Sequence, residues 1–125
     1  KALILGTGGA SKAVQYALRQ GDAEVKVVSR TQGVADLTYD DLSEECIAEC
    51  DIIVNTTPLG MFPDVDNAPA LPYSALSVKQ TLFDCVYNPR QTKFLQLGAE
   101  RGARTIDGLT MFHAQAEASW DIWSR

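Results

Sequence analysis

Leu3-Ile4-Leu5-Gly6-Thr7-Gly8-Gly9-Ala10-Ser11-Lys12-Ala13 reads as a buried strand, a glycine turn and the start of a helix. An apolar run without alternation is what a parallel strand covered on both faces requires. Where such a strand passes through a tight turn into a helix, bare backbone N–H groups collect at the positive end of the helix dipole, and a pyrophosphate fits there. The turn departs from the G-x-G-x-x-G spacing, because Ser11 holds the third glycine position. Its place inside a strand–turn–helix unit is nevertheless the context that such a motif needs. Gly6 supplies the tight turn and Gly8 the room for backbone approach, while Gly9 and Ala10 keep the helix entrance free of bulky side chains. The alternative is an ordinary glycine-rich turn. The chain opens on this strand with Lys1 and no initiator Met, and is therefore expected to be a domain of a longer protein.

Working outward, the pattern alternates strand and helix. A helix is expected over 11–20, with Val14, Ala17 and Leu18 at helical spacing, and a second strand over 24–29. From Arg30 to about Tyr39 the text is polar and aperiodic, so the second crossover helix is shortened or lost. A short helix over 43–50 follows, capped by Ser43, and then a doubly covered strand over 51–55. The Pro-rich, acidic stretch 61–72 excludes regular structure. A strand over 81–84, a helix capped by Thr92, a brief strand over 104–107 and a last helix over 109–124 complete the series. That helix would carry Leu109, Phe112, Ala116, Trp120 and Trp123 on one stripe, as core or as an interface with a further domain. The expected fold is an α/β, open doubly wound parallel sheet, a Rossmann-like dinucleotide-binding domain over residues 1–125.

Composition narrows the function classes. A chain of 125 residues with 46% hydrophobic residues suits one globular domain. A net charge of -5 without any basic stripe argues against nucleic acid. No apolar stretch approaches the roughly 18 residues of a membrane span, so no membrane partner is expected and the cytoplasm is the default compartment. Cys46, Cys50 and Cys85 lack metal-ligand spacing and the chain has a single His, so no metal site is expected. Buried free thiols fit better. Asp40-Asp41 and Glu44-Glu45 read as a solvated helix start, and His113 has no visible partner.

Three further positions bear on a ligand. NAD sites usually hold a carboxylate at the end of the second strand, roughly 20 residues after the turn. Here the residues are Ser29-Arg30-Thr31. A guanidinium can pair with a ribose 2′-phosphate and stack on adenine, and the two hydroxyls can bond the same phosphate. NADP is therefore the expected cofactor, against the alternative of a solvated Arg at a strand exit. Asn55-Thr56-Thr57-Pro58-Leu59-Gly60 sits at the carboxyl end of a strand, where it can edge a ligand or form a satisfied turn. On the last helix Met111 and Gln115 are four apart and Gly108 just precedes them, so the three can face one place.

Taken together, Gly6 to Ala13, Ser29-Arg30-Thr31, Asn55 to Met61, Asp84-Cys85-Val86-Tyr87-Asn88-Pro89 with Thr92, and Gly108 to Met111 with Gln115-Ala116 resemble the shikimate dehydrogenase family, in order along essentially the whole chain. The resemblance implies NADPH-dependent reduction of 3-dehydroshikimate to shikimate, a step of aromatic amino-acid biosynthesis. It places Gly6, Thr7, Gly8, Gly9 and Ala10 on the pyrophosphate, and Ser29, Arg30 and Thr31 on the adenosine 2′-phosphate. Asn55, Thr56, Thr57, Cys85, Gly108 and Met111 fall along the cofactor toward the nicotinamide, and Tyr87 and Gln115 reach shikimate. Thr7 stands where the family often has Ala, Ser29 where Asn is usual, and Pro58 where a small hydroxyl residue is common.

The family's reacting Lys and Asp belong to an amino-terminal substrate domain that this chain lacks, so no catalytic residue is expected in these 125 residues. The implied partners are that domain and the small-molecule substrate, and a homodimer is compatible with this reading. Two other readings stay open: a quinate/shikimate-type dehydrogenase with relaxed cofactor or substrate choice, and a non-catalytic NADP-binding module. The cofactor domain of a glutamyl-tRNA reductase-like protein is disfavoured by Tyr87 and Gln115.

Overall fold

Six short parallel strands form one sheet in the computed structural model, which describes residues 1–109. In chain order the elements are β1 (Ala2–Leu5), α1 (Gly9–Gln20), β2 (Val25–Ser29), β3 (Leu37–Thr38), α2 (Glu44–Glu49), β4 (Ile52–Asn55), β5 (Thr81–Asp84), α3 (Lys93–Glu100) and β6 (Arg104–Ile106). The strand order is β3-β2-β1-β4-β5-β6, with every neighbouring pair parallel. The chain steps outward from β1 to β2 and β3, then returns across the sheet to begin β4 on the other side of β1. Right-handed crossovers in opposite directions place α1 on one face and α2 and α3 on the other. The point of reversal lies between β1 and β4, and there the carboxyl ends of the strands open a crevice. This is the doubly wound, Rossmann-like arrangement expected from the pattern.

Burial follows from it. The strands β1, β4 and β5 carry Leu3, Leu5, Ile53 and Leu82 onto the face that meets Ile47 of α2 and Phe94 and Leu95 of α3. Both helices on this side start where the sequence says. Ser43 Oγ accepts from Cys46 N at 3.1 Å and Thr92 Oγ1 from Leu95 N at 3.3 Å, each satisfying an otherwise orphaned first-turn donor. On the opposite face α1 packs on β1 and β2. Its apolar stripe is shallower than its spacing suggests: Val14 and Leu18 are half-buried, Ala17 is exposed, and only Ser11 is buried.

One strand escaped the sequence reading. Leu37-Thr38 pairs with Val28-Ser29 as the sheet edge, so there are six strands where five were expected. Two residues are too few to show a period of two, and the pairing with β2 alone makes them a strand. No helix occupies the connection from β2 to β3, in keeping with the aperiodic text there. The last helix expected from Leu109 onward lies outside the described residues, apart from Leu109 itself.

Phe94 gives the clearest measure of this core. It is fully buried and meets Tyr73 edge-on, with ring centroids 6.4 Å apart and planes at 68°. Phe94→Ala is expected to cost about 3–5 kcal/mol in denaturant unfolding. A loss under about 1 kcal/mol would show that the α3 face is loosely packed.

Candidate functional site

At the carboxyl ends of β1, β2 and β4 a cavity of about 460 Å³ opens between the glycine turn, the exit of β2 and the turn after β4. Gly6, Thr7 and Gly8 form one wall, Ser29, Arg30 and Thr31 another, and Thr56, Thr57, Pro58 and Leu59 a third. A second cavity of about 410 Å³ shares Thr56, Thr57 and Pro58 and continues to Met61, Phe62, Cys85, Val86, Tyr87 and Asn88. The two form one trough, with the β4 turn as the ridge between its halves.

The glycine turn is shaped by close approach. Gly6 has a φ of +110°, and a Cβ there would lie 2.5 Å from Thr56 Oγ1 and 3.2 Å from Thr57 Cγ2. Gly8 and Gly9 face open space instead, with nothing within 4 Å of a Cβ. The N-cap of α1 is Gly8, whose lack of a side chain leaves no capping bond, and the first turn holds no acidic residue. Over a helix of 12 residues this presents uncapped N–H groups at the positive end of the dipole, facing the crevice. Ser11, at the third glycine position, is fully buried, and its Oγ accepts from Gln15 Nε2 at 3.1 Å. A small residue suffices there. Gly9 and Ala10 begin the helix just beyond the cavity lining.

At the exit of β2, Ser29 Oγ accepts from Thr31 N at 3.1 Å, which curls the backbone and leaves Arg30 exposed on the cavity wall. Among the described residues no carboxylate pairs with Arg30. The carboxylate of Asp36, in the same connection, instead accepts from Val27 N at 2.9 Å. The helix-free link between β2 and β3 also brings Val34 onto this wall, and the turn directly after β3 brings Tyr39, both of which sequence reasoning missed. Burial raises the Tyr39 phenol pKa, while the Arg30 charge acts in the opposite direction. No motif marks either residue; only the short connection and the pairing of β3 put them there.

Behind the trough lies a buried polar network. Asn55 and Asp84 are register partners at the ends of β4 and β5, both fully buried. Asn55 Nδ2 donates to Asp84 Oδ1 at 3.1 Å, and Asn55 Oδ1 accepts from Thr57 N at 3.0 Å and Thr57 Oγ1 at 2.6 Å. Thr56 Oγ1 donates to Leu5 O at 2.6 Å. Asn55 therefore lines neither cavity: its side chain is committed to shaping the turn that does. Asp84 also accepts from Val86 N at 2.9 Å and from Thr92 Oγ1 at 2.6 Å. Burial pushes its carboxyl above the ordinary value, and the bonds from Thr92, Val86 and Asn55 hold it down.

The second cavity is apolar and aromatic at its rim. Met61, Phe62 and Tyr87 are well exposed, and Phe62 N donates to Asn88 O at 2.9 Å, tying the two rim loops together. Burial pushes the Cys85 thiol up to about 11, so a neutral thiol faces this cavity. Gly108 is buried beside it, where a Cβ would meet Cys85 O at 2.5 Å and Val86 O at 2.8 Å. Met111 and Gln115 lie outside the described residues. Among the described residues no cluster of His, Cys, Asp or Glu is placed to hold a metal, and no helix is long and apolar enough to cross a membrane. The trough thus offers uncapped N–H groups and a cation at one end, and a cavity with an apolar, aromatic rim at the other.

No protein-family model matches the chain. Individual relatives do. The shikimate dehydrogenase (NADP(+)) of Methanococcus aeolicus is 35% identical over 98% of the chain and 49% of its own length. The solved shikimate 5-dehydrogenase of Thermus thermophilus, in complex with NADP(H) and shikimate, superposes with a TM-score of 0.82 at 32% identity, over 98% of this chain and 48% of that one. The quinate dehydrogenase of Corynebacterium glutamicum, in complex with NAD, reaches a TM-score of 0.71 at 27% identity, over 86% of this chain and 44% of that one. The chain spans about half the length of the curated relatives it matches. By sequence and by fold the chain is similar, over that half, to shikimate dehydrogenases.

Proposed function

We propose that this chain is the NADP-binding domain of a shikimate dehydrogenase, which reversibly reduces 3-dehydroshikimate to shikimate with NADPH. One observation carries the cofactor assignment: the uncapped start of α1 and Arg30, which no carboxylate pairs among the described residues, open on the same cavity, and Ser29-Arg30-Thr31 holds no carboxylate at the β2 exit. The cradle also fits the group sterically, since Gly8 and Gly9 leave open the space that a pyrophosphate needs.

In this reading Gly6, Thr7, Gly8, Gly9 and Ala10 hold the pyrophosphate by backbone N–H groups and the helix dipole. Ser29, Arg30 and Thr31 take the 2′-phosphate, with Arg30 supplying charge and a planar donor fork. Thr56 and Thr57 edge the middle of the trough, with Thr56 N donating to Leu5 O and Thr57 N to Asn55 Oδ1. Cys85, Gly108 and Met111 belong to the nicotinamide end, where a neutral thiol and an apolar lining keep water from the ring. Bound there, the nicotinamide supplies or accepts the hydride exchanged with the oxygen-bearing carbon of the substrate. Tyr87 and Gln115 are assigned to the substrate, and the groups that move the hydroxyl proton to an amino-terminal domain. Cytoplasmic placement is in keeping with the free cysteines Cys46, Cys50 and Cys85.

Titration with NADPH and NADH tests the cofactor reading, and NADPH is expected to bind at least about tenfold tighter. Equal affinities would overturn it. A second expectation separates binding from turnover: the 125-residue chain binds NADP(H) but does not oxidise shikimate, because hydride transfer needs the substrate held at near-attack distance. Shikimate-dependent NADP+ reduction by this chain alone would refute that division. A quinate-type dehydrogenase with relaxed cofactor choice is the second reading, favoured by the fold shared with the NAD-bound quinate dehydrogenase. Activity of the intact protein on quinate with NAD would decide for it.

A further inference from the structure

We propose that Asp84 and Gly108 are positioning residues that clamp the Cys85–Val86 backbone from two sides and so set the wall of the second cavity; this rests on reading that cavity as the nicotinamide end. Neither residue lines either of the two cavities described above, whereas Cys85, Val86 and Tyr87 line the second. Asp84 is a fully buried carboxylate with no Lys or Arg partner among the described residues. Such a group is costly to bury, and a neutral side chain would serve simple packing with a smaller desolvation penalty. What a carboxylate adds is acceptor capacity without any donor of its own.

Here that capacity is used by three segments at once. Asn55 Nδ2 comes from the end of β4, Val86 N from the cavity wall, and Thr92 Oγ1 from the start of α3. The carboxylate therefore fixes Val86 relative to two rigid elements. From the other side the chain leaving β6 presses on the same peptide, because Gly108 lets its backbone approach where a Cβ would lie 2.5 Å from Cys85 O and 2.8 Å from Val86 O. A hydrogen bond on the N–H side and close packing on the carbonyl side leave this peptide little freedom. A ligand ring seated against Cys85 and Tyr87 then meets a preset surface rather than one it must order.

The test uses two ligands of different reach. Adenosine 2′,5′-bisphosphate needs only the first cavity, whereas NADPH needs both. In Asp84→Asn and Gly108→Ala, NADPH affinity is expected to fall about tenfold or more, while bisphosphate affinity changes by less than about twofold. Melting temperature is followed in parallel, since a merely structural role lowers it and leaves the ratio of the two affinities unchanged. An unchanged ratio in both variants overturns the clamp while the cofactor reading stands. Failure of the unaltered protein to bind either ligand overturns that reading and the clamp with it. Asp84→Asn leaves the Thr92 hydroxyl facing an amide nitrogen; if that variant does not fold, Gly108→Ala, which retains all three bonds to Asp84, decides alone.

Discussion

Arg30→Asp is expected to weaken NADPH binding by about 100-fold or more while leaving NADH affinity within about threefold. A charge-assisted pair with a phosphate contributes about 1.5–3 kcal/mol, and the substituted carboxylate adds repulsion against a dianionic group. NADH has no 2′-phosphate, so it loses neither term; the new carboxylate can accept from its ribose hydroxyls instead. Because Arg30 is exposed and makes no ion pair among the described residues, the change should leave folding intact. Calorimetric titration of both nucleotides against both proteins checks this. Equal losses for the two would remove the phosphate contact from Arg30.

Gly6→Ala should have the second large effect, and it should strike stability and binding together. At a φ of +110° an L-residue is strained, and the added Cβ would sit 2.5 Å from Thr56 Oγ1, whose hydroxyl is already committed to Leu5 O. Strain and overlap together predict a loss of about 2–4 kcal/mol in unfolding free energy, and displacement of the turn predicts about 100-fold weaker NADPH binding. Gly8→Ala is the control, because its φ is −77° and its Cβ would meet nothing within 4 Å. It should cost under about 1 kcal/mol of stability and act on ligand binding alone. If both variants lose stability equally, the close approach at Gly6 is not what holds the turn.

The two variants also mark how far the residues alone could be read. The place of Arg30 on the cavity wall is legible because it depends on a short local grammar: a strand, its end, and the type of side chain found there. The caps at Ser43 and Thr92 were legible for the same reason, since a hydroxyl and the N–H it serves lie three residues apart. Gly6, Thr7, Gly8, Ser29, Arg30, Thr31, Thr56 and Thr57 come from separate stretches of the sequence, and all of them line the first cavity. Parallel strands bring their carboxyl ends to one edge, so residues read independently as strand ends must meet there.

What stayed hidden depends on partners far away in the chain. Leu37-Thr38 is a strand only because Val28-Ser29 lies beside it, and Tyr39 and Val34 reach the cavity only through that pairing. Asn55 looked like a residue at the ligand's edge. Its register partner Asp84, 29 positions later, draws its amide inward and makes it the support of the turn. Gly108 gave no sign of the peptide it presses against. Five of the six strands, the helix starts at Ser43 and Thr92, the glycine turn that opens α1 and the charge beside it follow from the sequence by itself, because period, capping and turn chemistry act within a few residues. Only the tertiary structure decided which polar side chains face the trough and which are consumed behind it, because that choice is made by sheet register and burial, which join residues that no local pattern connects.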